Sequence, residues 1–212
     1  MAGTFLQGLD VSHFDGTIDW AQVAGDPSSP KFAYAKASEG STFDDRCFTA
    51  NYAGIKANNM LCGAYHYFHP EQPAQAQADW FMNIVREVKG DLPPMLDVER
   101  AGASGTISKA EYAAALQQWL ELVAQGMHCT PIIYTRANFW NENVGDFGAF
   151  AGYPLWIAEY CSASKPILPE GATSYAFWQY SQQGGVAGIN SAVDLDRFNG
   201  TQQQLQALLC TG

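Results

Sequence analysis

Short apolar runs recur from one end of the chain to the other, and none is long enough to cross a membrane. They are Phe5–Val11, Phe32–Ala37, Leu61–Phe68, Met95–Val98, Pro131–Tyr134, Leu155–Ala158, Tyr175–Tyr180 and Ala192–Leu195, eight candidate strands. Helical patterns fill the earlier gaps. Asp44–Asn58 is one. Pro73–Val88 is a second, with Trp80, Ile84 and Val88 at spacing four, Phe81 and Val85 beside them, and Gly90 after its end. Ser108–Gln125 opens on a capping box, Ser108 with Glu111. Its stripe of Tyr112, Leu116, Trp119, Leu120 and Val123 makes one apolar face, and Gly126 is expected to end it. A shorter helix covers Ala137–Asn143. After Leu155 the pattern changes. The gaps from Tyr160 to Ser174 and from Ser181 to Ser191 carry Gly, Pro, Ser and Gln but no helical stripe.

Strands alternating with helices predict an α/β fold with a parallel sheet. Eight strands predict closure into a barrel whose last helices are missing; an open α/β sheet is the alternative. With no linker or repeat in its 212 residues, the chain is expected to form one domain over 1–212, without a separate second module.

The fourth run ends in an acid pair, Asp97-Val98-Glu99. Side chains alternate faces along a strand, so both acids point the same way, with Cα atoms roughly 6.5 Å apart. Two carboxyls that close do not ionise independently, and one is pushed toward its protonated form. A protonated acid beside an ionised one is what cleavage of a glycosidic bond requires. The plain alternative is a solvated strand end or an ion pair, but two acids on an apolar strand cost stability without a role.

In a parallel barrel, chemistry gathers where strands end. The other run ends supply Asp10, Lys36, Glu39, Tyr65, Tyr134, Trp156, Tyr160, Trp178, Gln179, Asp194 and Asp196. Glu39 pairs most simply with Lys36, a structural role. The aromatics at these ends suit either the core or the apolar face of a sugar ring. His13, His66 and His69 have no metalloprotease spacing, so no metal is expected and each reads as a hydrogen-bonded structural residue. The net charge of −10, with no basic block, argues against a nucleic-acid partner. It also means that an anionic polymer must be held by local contacts. The five cysteines lack metal-ligand spacing and read as small buried hydrophobes, with one disulfide as the alternative. Met1-Ala2-Gly3-Thr4 lacks the charged and apolar regions of a secretory signal.

Taken in order, Gly8-Leu9-Asp10-Val11-Ser12-His13-Phe14, Ala35-Lys36-Ala37-Ser38-Glu39-Gly40, Gly63-Ala64-Tyr65-His66-Tyr67, Leu96-Asp97-Val98-Glu99, Ile133-Tyr134-Thr135, Leu155-Trp156-Ile157-Ala158, Trp178-Gln179-Tyr180 and Val193-Asp194-Leu195 resemble glycoside hydrolase family 25, the lysozymes or N-acetylmuramidases. The resemblance runs from about residue 5 to 200. It implies an irregular TIM-like barrel, five βα units followed by three strands. It implies hydrolysis of the β-1,4 bond between N-acetylmuramic acid and N-acetylglucosamine in peptidoglycan, without a cofactor, by a monomer acting outside the cell or at the wall. Carried over residue by residue, it makes Glu99 the general acid and Asp97 the group that steadies the substrate's 2-acetamido function. Asp10 and Asp194 become acids that bind substrate and tune the central pair. Asp196 stands where the family commonly has Asn, and Glu39 is a further candidate. Tyr65, Tyr134, Trp156, Tyr160, Trp178 and Gln179 are the implied substrate contacts. A non-catalytic carbohydrate-binding barrel and a different barrel glycosidase such as a chitinase are the alternatives. The usual chitinase pattern has a longer Asp-rich run before its acid, which Met95-Leu96-Asp97-Val98-Glu99 lacks.

Overall fold

Each predicted run becomes a strand, and the strands close. The structure is a computed structural model that describes residues 5–102, 107–161 and 163–211. Met1 to Thr4, on which the reading of the N-terminus falls, lie outside the described residues. The chain runs β1 (Leu6–Val11), α1 (Trp20–Ala24), β2 (Phe32–Glu39), β3 (Phe43–Asp44), α2 (Phe48–Ala57), β4 (Leu61–Tyr67), α3 (Ala74–Val85) and β5 (Met95–Val98). It continues through α4 (Lys109–Met127), β6 (Ile132–Thr135), α5 (Ala137–Asn143), β7 (Leu155–Ala158), β8 (Phe177–Gly184), β9 (Val193–Phe198) and α6 (Gln202–Gln206). The sheet order is β1-β9-β8-β7-β6-β5-β4-β2, and β1 also pairs with β2, which shuts the barrel. The short β3, which the sequence does not announce, hangs antiparallel on β2. Five βα units come first and three strands follow, as expected. Only β9 among the barrel strands runs antiparallel to its neighbours, so its N-terminal end lies at the same rim as the C-terminal ends of the others.

Two apolar layers hold the barrel. Outward residues such as Leu9, Val11, Ala33, Ala35, Leu96, Val98, Ile133 and Ile157 pack under the helices. Inward residues fill the lumen: Phe32, Tyr34, Met95, Ile132, Trp156, Phe177 and Phe198. The lumen rings interlock, Trp156 stacked on Phe177 at 4.8 Å and edge-on to Tyr34 at 4.9 Å between centroids. Such pairs add about 0.5–1.5 kcal/mol each beyond their burial. Gly8 and Gly63 make room for them, since a Cβ at either position would fall into the ring of Phe32 or Tyr34.

The helices depart from expectation at their ends. In α3 the buried face is Ala74, Gln77, Ala78, Phe81 and Val85. Trp80 is therefore only half-buried, and its indole N–H donates to the Phe43 carbonyl that leads into β3. In α4 the Ser108 capping box forms, but the helix continues through Gly126 to Met127 and stops at a left-handed His128. Gly126 is there for close approach, because a Cβ would strike the Met82 sulfur of α3. The reading of all five cysteines as unpaired is corrected for two of them. Cys129, just past α4, is bonded to Cys210 near the C-terminus, their Cα atoms 5.3 Å apart. Their 81-residue separation hid the pairing from any local reading. Cys47, Cys62 and Cys161 are free. No described helix is long and apolar enough to cross a membrane.

Candidate active site

Alternation along each strand delivers the acids to one place. Asp97 is the last inward residue of β5, flanked by the outward Leu96 and Val98, and Glu99 follows one residue past the strand. Asp97 is buried, while Glu99 is half-exposed. On the opposite wall, Asp10 of β1 lies in register with Asp194 of β9, and Gly8 lies in register with Asp196. Asp194 and Asp196 therefore face the lumen together, as their two-residue spacing implies.

No protein donor among the described residues reaches Asp97 Oδ1, although it is buried. Burial raises the Asp97 carboxyl well above the ordinary carboxylate range, the Glu99 charge raises it further, and Lys36 opposes both. Burial also raises Glu99, with Arg136 and Lys36 pulling the other way. Each acid therefore raises the cost of ionising the other, and both are held above the ordinary carboxylate range chiefly by burial.

The far wall is wired differently. Gln179 Nε2 donates to Asp10 Oδ2 at 2.7 Å, and Gln179 Oε1 accepts from the hydroxyls of Tyr134 at 2.9 Å and Tyr160 at 2.5 Å. These bonds satisfy the amide oxygen and fix the orientation of the group. Asp196 is fully buried and accepts from the Trp156 indole at 3.2 Å. Burial first, then the charges of Asp10 and Asp194, raises Asp196 well above the ordinary range, and its Oδ2 has no donor among the described residues. The Gln179 hydrogen bond pulls Asp10 down. Burial nonetheless raises Asp10 well above the ordinary range, and Asp194 adds to that. Burial first, then Asp15 and Glu99, push Asp194 up to about 6.

The expected aromatics divide. Tyr65 and Tyr134 form the floor beneath the acids, and Tyr160 stands half-buried at the rim. Burial comes first in raising the Tyr65 phenol, followed by the charges of Asp10, Asp97 and Asp194, which locates its ring among them. Trp156 is inward but wholly enclosed, so it touches Asp196 rather than anything entering the mouth. Trp178 is corrected. It lies on the outward face of β8, packed near Phe5 and Tyr180, and donates to the Glu159 carbonyl at 2.8 Å. Its neighbour Gln179 takes the inward position.

Glu39 is held by Lys36 at 2.7 Å and by His69 at 2.8 Å, the structural pairing expected of it. The three histidines are dispersed. His13 meets Asp45 at 2.6 Å, and His66 is buried between Ser38 and Gln77. Among the described residues no cluster of three His, Cys, Asp or Glu has the geometry to hold a metal ion.

Two cations escaped the sequence reading as site residues. Lys36, buried in β2, lies 4.8 Å from the Tyr67 ring centre and tempers the charge of Asp97. A lysine between two alanines in an apolar strand was the available signal. Arg136 follows β6 directly and lies over the Tyr160 ring, 5.0 Å from its centre.

The chain that carries these acids matches known proteins. The family model described as glycosyl hydrolases family 25 matches residues 9–189. The chain belongs to this family. As a family 25 glycoside hydrolase it is 36% identical to Lysozyme M1 of Streptomyces globisporus over 212 residues, covering 96% of this chain and 71% of that protein. It is 38% identical to YegX of Escherichia coli (strain K12) over 207 residues, covering 96% and 73%. Among solved structures, the bacterial lysozyme from Streptomyces coelicolor superposes with a TM-score of 0.91 at 32% identity, over 99% of each chain.

Proposed function

We propose that this family 25 enzyme is a muramidase, cutting the β-1,4 bond between N-acetylmuramic acid and N-acetylglucosamine in peptidoglycan, with Glu99 as general acid. One observation carries the reading: Asp97 Oδ1 is buried at the end of β5 without a donor among the described residues, two positions before Glu99. An amide N–H from a sugar's 2-acetamido group supplies the missing donor. Hydrogen bonding to a carboxylate favours its charged form. Substrate therefore ionises Asp97 and leaves the proton on Glu99, the more accessible acid.

Cleavage then follows by substrate assistance. The acetamido oxygen attacks the anomeric carbon while the bond to the leaving oxygen breaks and Glu99 transfers its proton to that oxygen. Asp97 balances the positive charge of the oxazolinium ring. Glu99, now a carboxylate, takes a proton from water as that water attacks the anomeric carbon and reopens the ring. Two inversions at one carbon retain configuration. Tyr65, Tyr134 and Tyr160 offer the sugar its walls. Asp10 and Asp194 bind substrate hydroxyls, and Gln179 holds Asp10 in place. The bond from Gln179 argues against Asp10 as the free base that direct water attack would need; Asp194 is the remaining candidate for that role, and the first-formed anomer decides between the routes. Action is expected outside the cytoplasm, in keeping with the lysozyme names of its relatives, and a monomer is the default expectation.

Digestion of purified walls with mass spectrometry of the fragments tests the bond. Reducing muramic ends are expected, and reducing glucosamine ends overturn the assignment. Chitin run in parallel identifies a chitinase, and walls that stay turbid identify a sugar-binding barrel. Proton NMR of the first-formed anomer tests the route: β is expected, and an α product excludes acetamido assistance.

A further inference from the structure

A chain of net charge −10 that handles an anionic polymer needs a cation at the point of contact. Most basic groups near the mouth are taken. Lys36 is bound to Glu39 at 2.7 Å, and Arg100 to Glu71 at 2.9 Å. Arg136 is different. Among the described residues no carboxylate lies within ion-pair distance of it. Its guanidinium is braced instead by the Tyr160 ring, and its Nη2 donates to the Tyr160 hydroxyl at 3.3 Å. That leaves most of its five N–H donors unused on a planar fork already held in place. Beside it opens a cleft of about 380 Å³, lined by Arg136, Asn138, Phe139, Ala158, Glu159 and Tyr160. The cleft adjoins the reacting centre, since Tyr160 bonds Gln179 and the Arg136 charge is felt by Glu99 and Asp194.

We propose that Arg136, with this cleft, binds the 3-O-lactyl substituent that distinguishes muramic acid from glucosamine, as a carboxylate where no stem peptide is attached and through the amide oxygen and the stem's own acids where one is. This rests on the muramidase reading and adds its source of specificity. The lactyl oxygen atoms, and the acidic stem peptide that extends from them, match a guanidinium fork in charge and geometry. Chitin has no such group at carbon 3. Arg136 thus selects for muramic acid where the acid cluster alone would accept any N-acetylhexosamine. Glu159 also lines the cleft, so a bound anion is expected on the Arg136 side of it.

Soluble glycan strands freed of stem peptides provide the probe. One batch keeps its free lactyl carboxylates; in the other they are converted to neutral amides. The quantity measured is the ratio of kcat/KM on the carboxylate strands to that on the amide strands. Any effect of Arg136 on the Glu99 proton acts on both substrates and cancels. Arg136→Gln is expected to lower the ratio about tenfold, mostly through KM, as expected for one lost charge-assisted contact at a partly exposed site. Arg136→Lys should recover part of it, and added salt should shrink the wild-type preference. An unchanged ratio in Arg136→Gln overturns the proposal, whether or not overall activity falls. Wild-type protein that cuts neither strand overturns the muramidase reading, and this inference with it.

Discussion

The lower and upper halves of the barrel lumen are built from the same strands and behave oppositely. Below, Phe32, Tyr34, Trp156, Phe177 and Phe198 interlock without solvent. Above, Asp10 of β1, Asp97 of β5, and Asp194 and Asp196 of β9 gather at the mouth. The aromatic floor excludes water from beneath the acids, and that desolvation is the first cause of every raised carboxyl in the cluster. Stability is concentrated in the floor and given up in the mouth, where like charges accumulate. Variants in the two halves should therefore separate activity from stability.

The largest effect belongs to the mouth. Glu99→Gln keeps shape and removes the transferable proton, so kcat should fall about a thousandfold while the thermal midpoint stays or rises. Turbidity clearance and a melting curve on the same sample check it. A variant that unfolds would mean that Glu99 supports the fold, and the separation of the two halves would fail.

In the floor the pattern should reverse. Phe177→Ala removes a fully buried ring that packs on Phe32, Trp156 and Phe198. The expected loss is about 3–5 kcal/mol of stability, read by urea unfolding. Molecules still folded should keep kcat within a few-fold, because no acid touches that ring. A loss of kcat to the level of Glu99→Gln would show that the floor positions the acids as well as drying them.

A smaller test acts outside the lumen altogether. Reduction of Cys129–Cys210, or Cys129→Ala with Cys210→Ala, releases an 81-residue span. About 2–4 kcal/mol of stability should be lost with kcat unaltered. An altered kcat would mean that the chain ends reach the site.

Periodicity and motif order made the barrel legible in the sequence. The strand positions of Met95–Val98 and Leu155–Ala158 and the helix Ala137–Asn143 coincide with the observed elements. Local spacing also placed Asp97, Asp194 and Asp196, since alternation fixes which face a strand residue takes. Three things were not local. The outward turn of Trp178 depends on where β8 starts: it begins at Phe177, which is inward, so Gln179 rather than Trp178 joins the site. The disulfide joins positions that only the closed barrel brings together. The freedom of Arg136 is a property of what does not surround it, and a sequence prints neighbours along the chain only. Trp80 shows the same limit at smaller scale, because spacing four fits two adjacent stripes and packing selected the one through Phe81.

The finest test uses pH to read the cost of gathering the acids. Asp194 is raised to about 6 from an ordinary value near 3.8. Below that ordinary value the carboxyl is protonated in both folded and unfolded chains and contributes nothing. Between the two values the folded state holds the proton and the unfolded state has lost it, so stability falls as pH rises. Above about 6 the penalty is complete. Asp194→Asn removes it, and the variant should be more stable than wild type by roughly 1–3 kcal/mol at pH 8. That advantage should shrink to nothing near pH 4. Urea melts at the two pH values measure the difference directly. An equal advantage at both would trace the effect to packing or a hydrogen bond. A disadvantage at pH 8 would mean that the ionised Asp194 is held by Arg136 more strongly than its neighbours Asp15 and Glu99 repel it, reversing the contrast between floor and mouth at this residue.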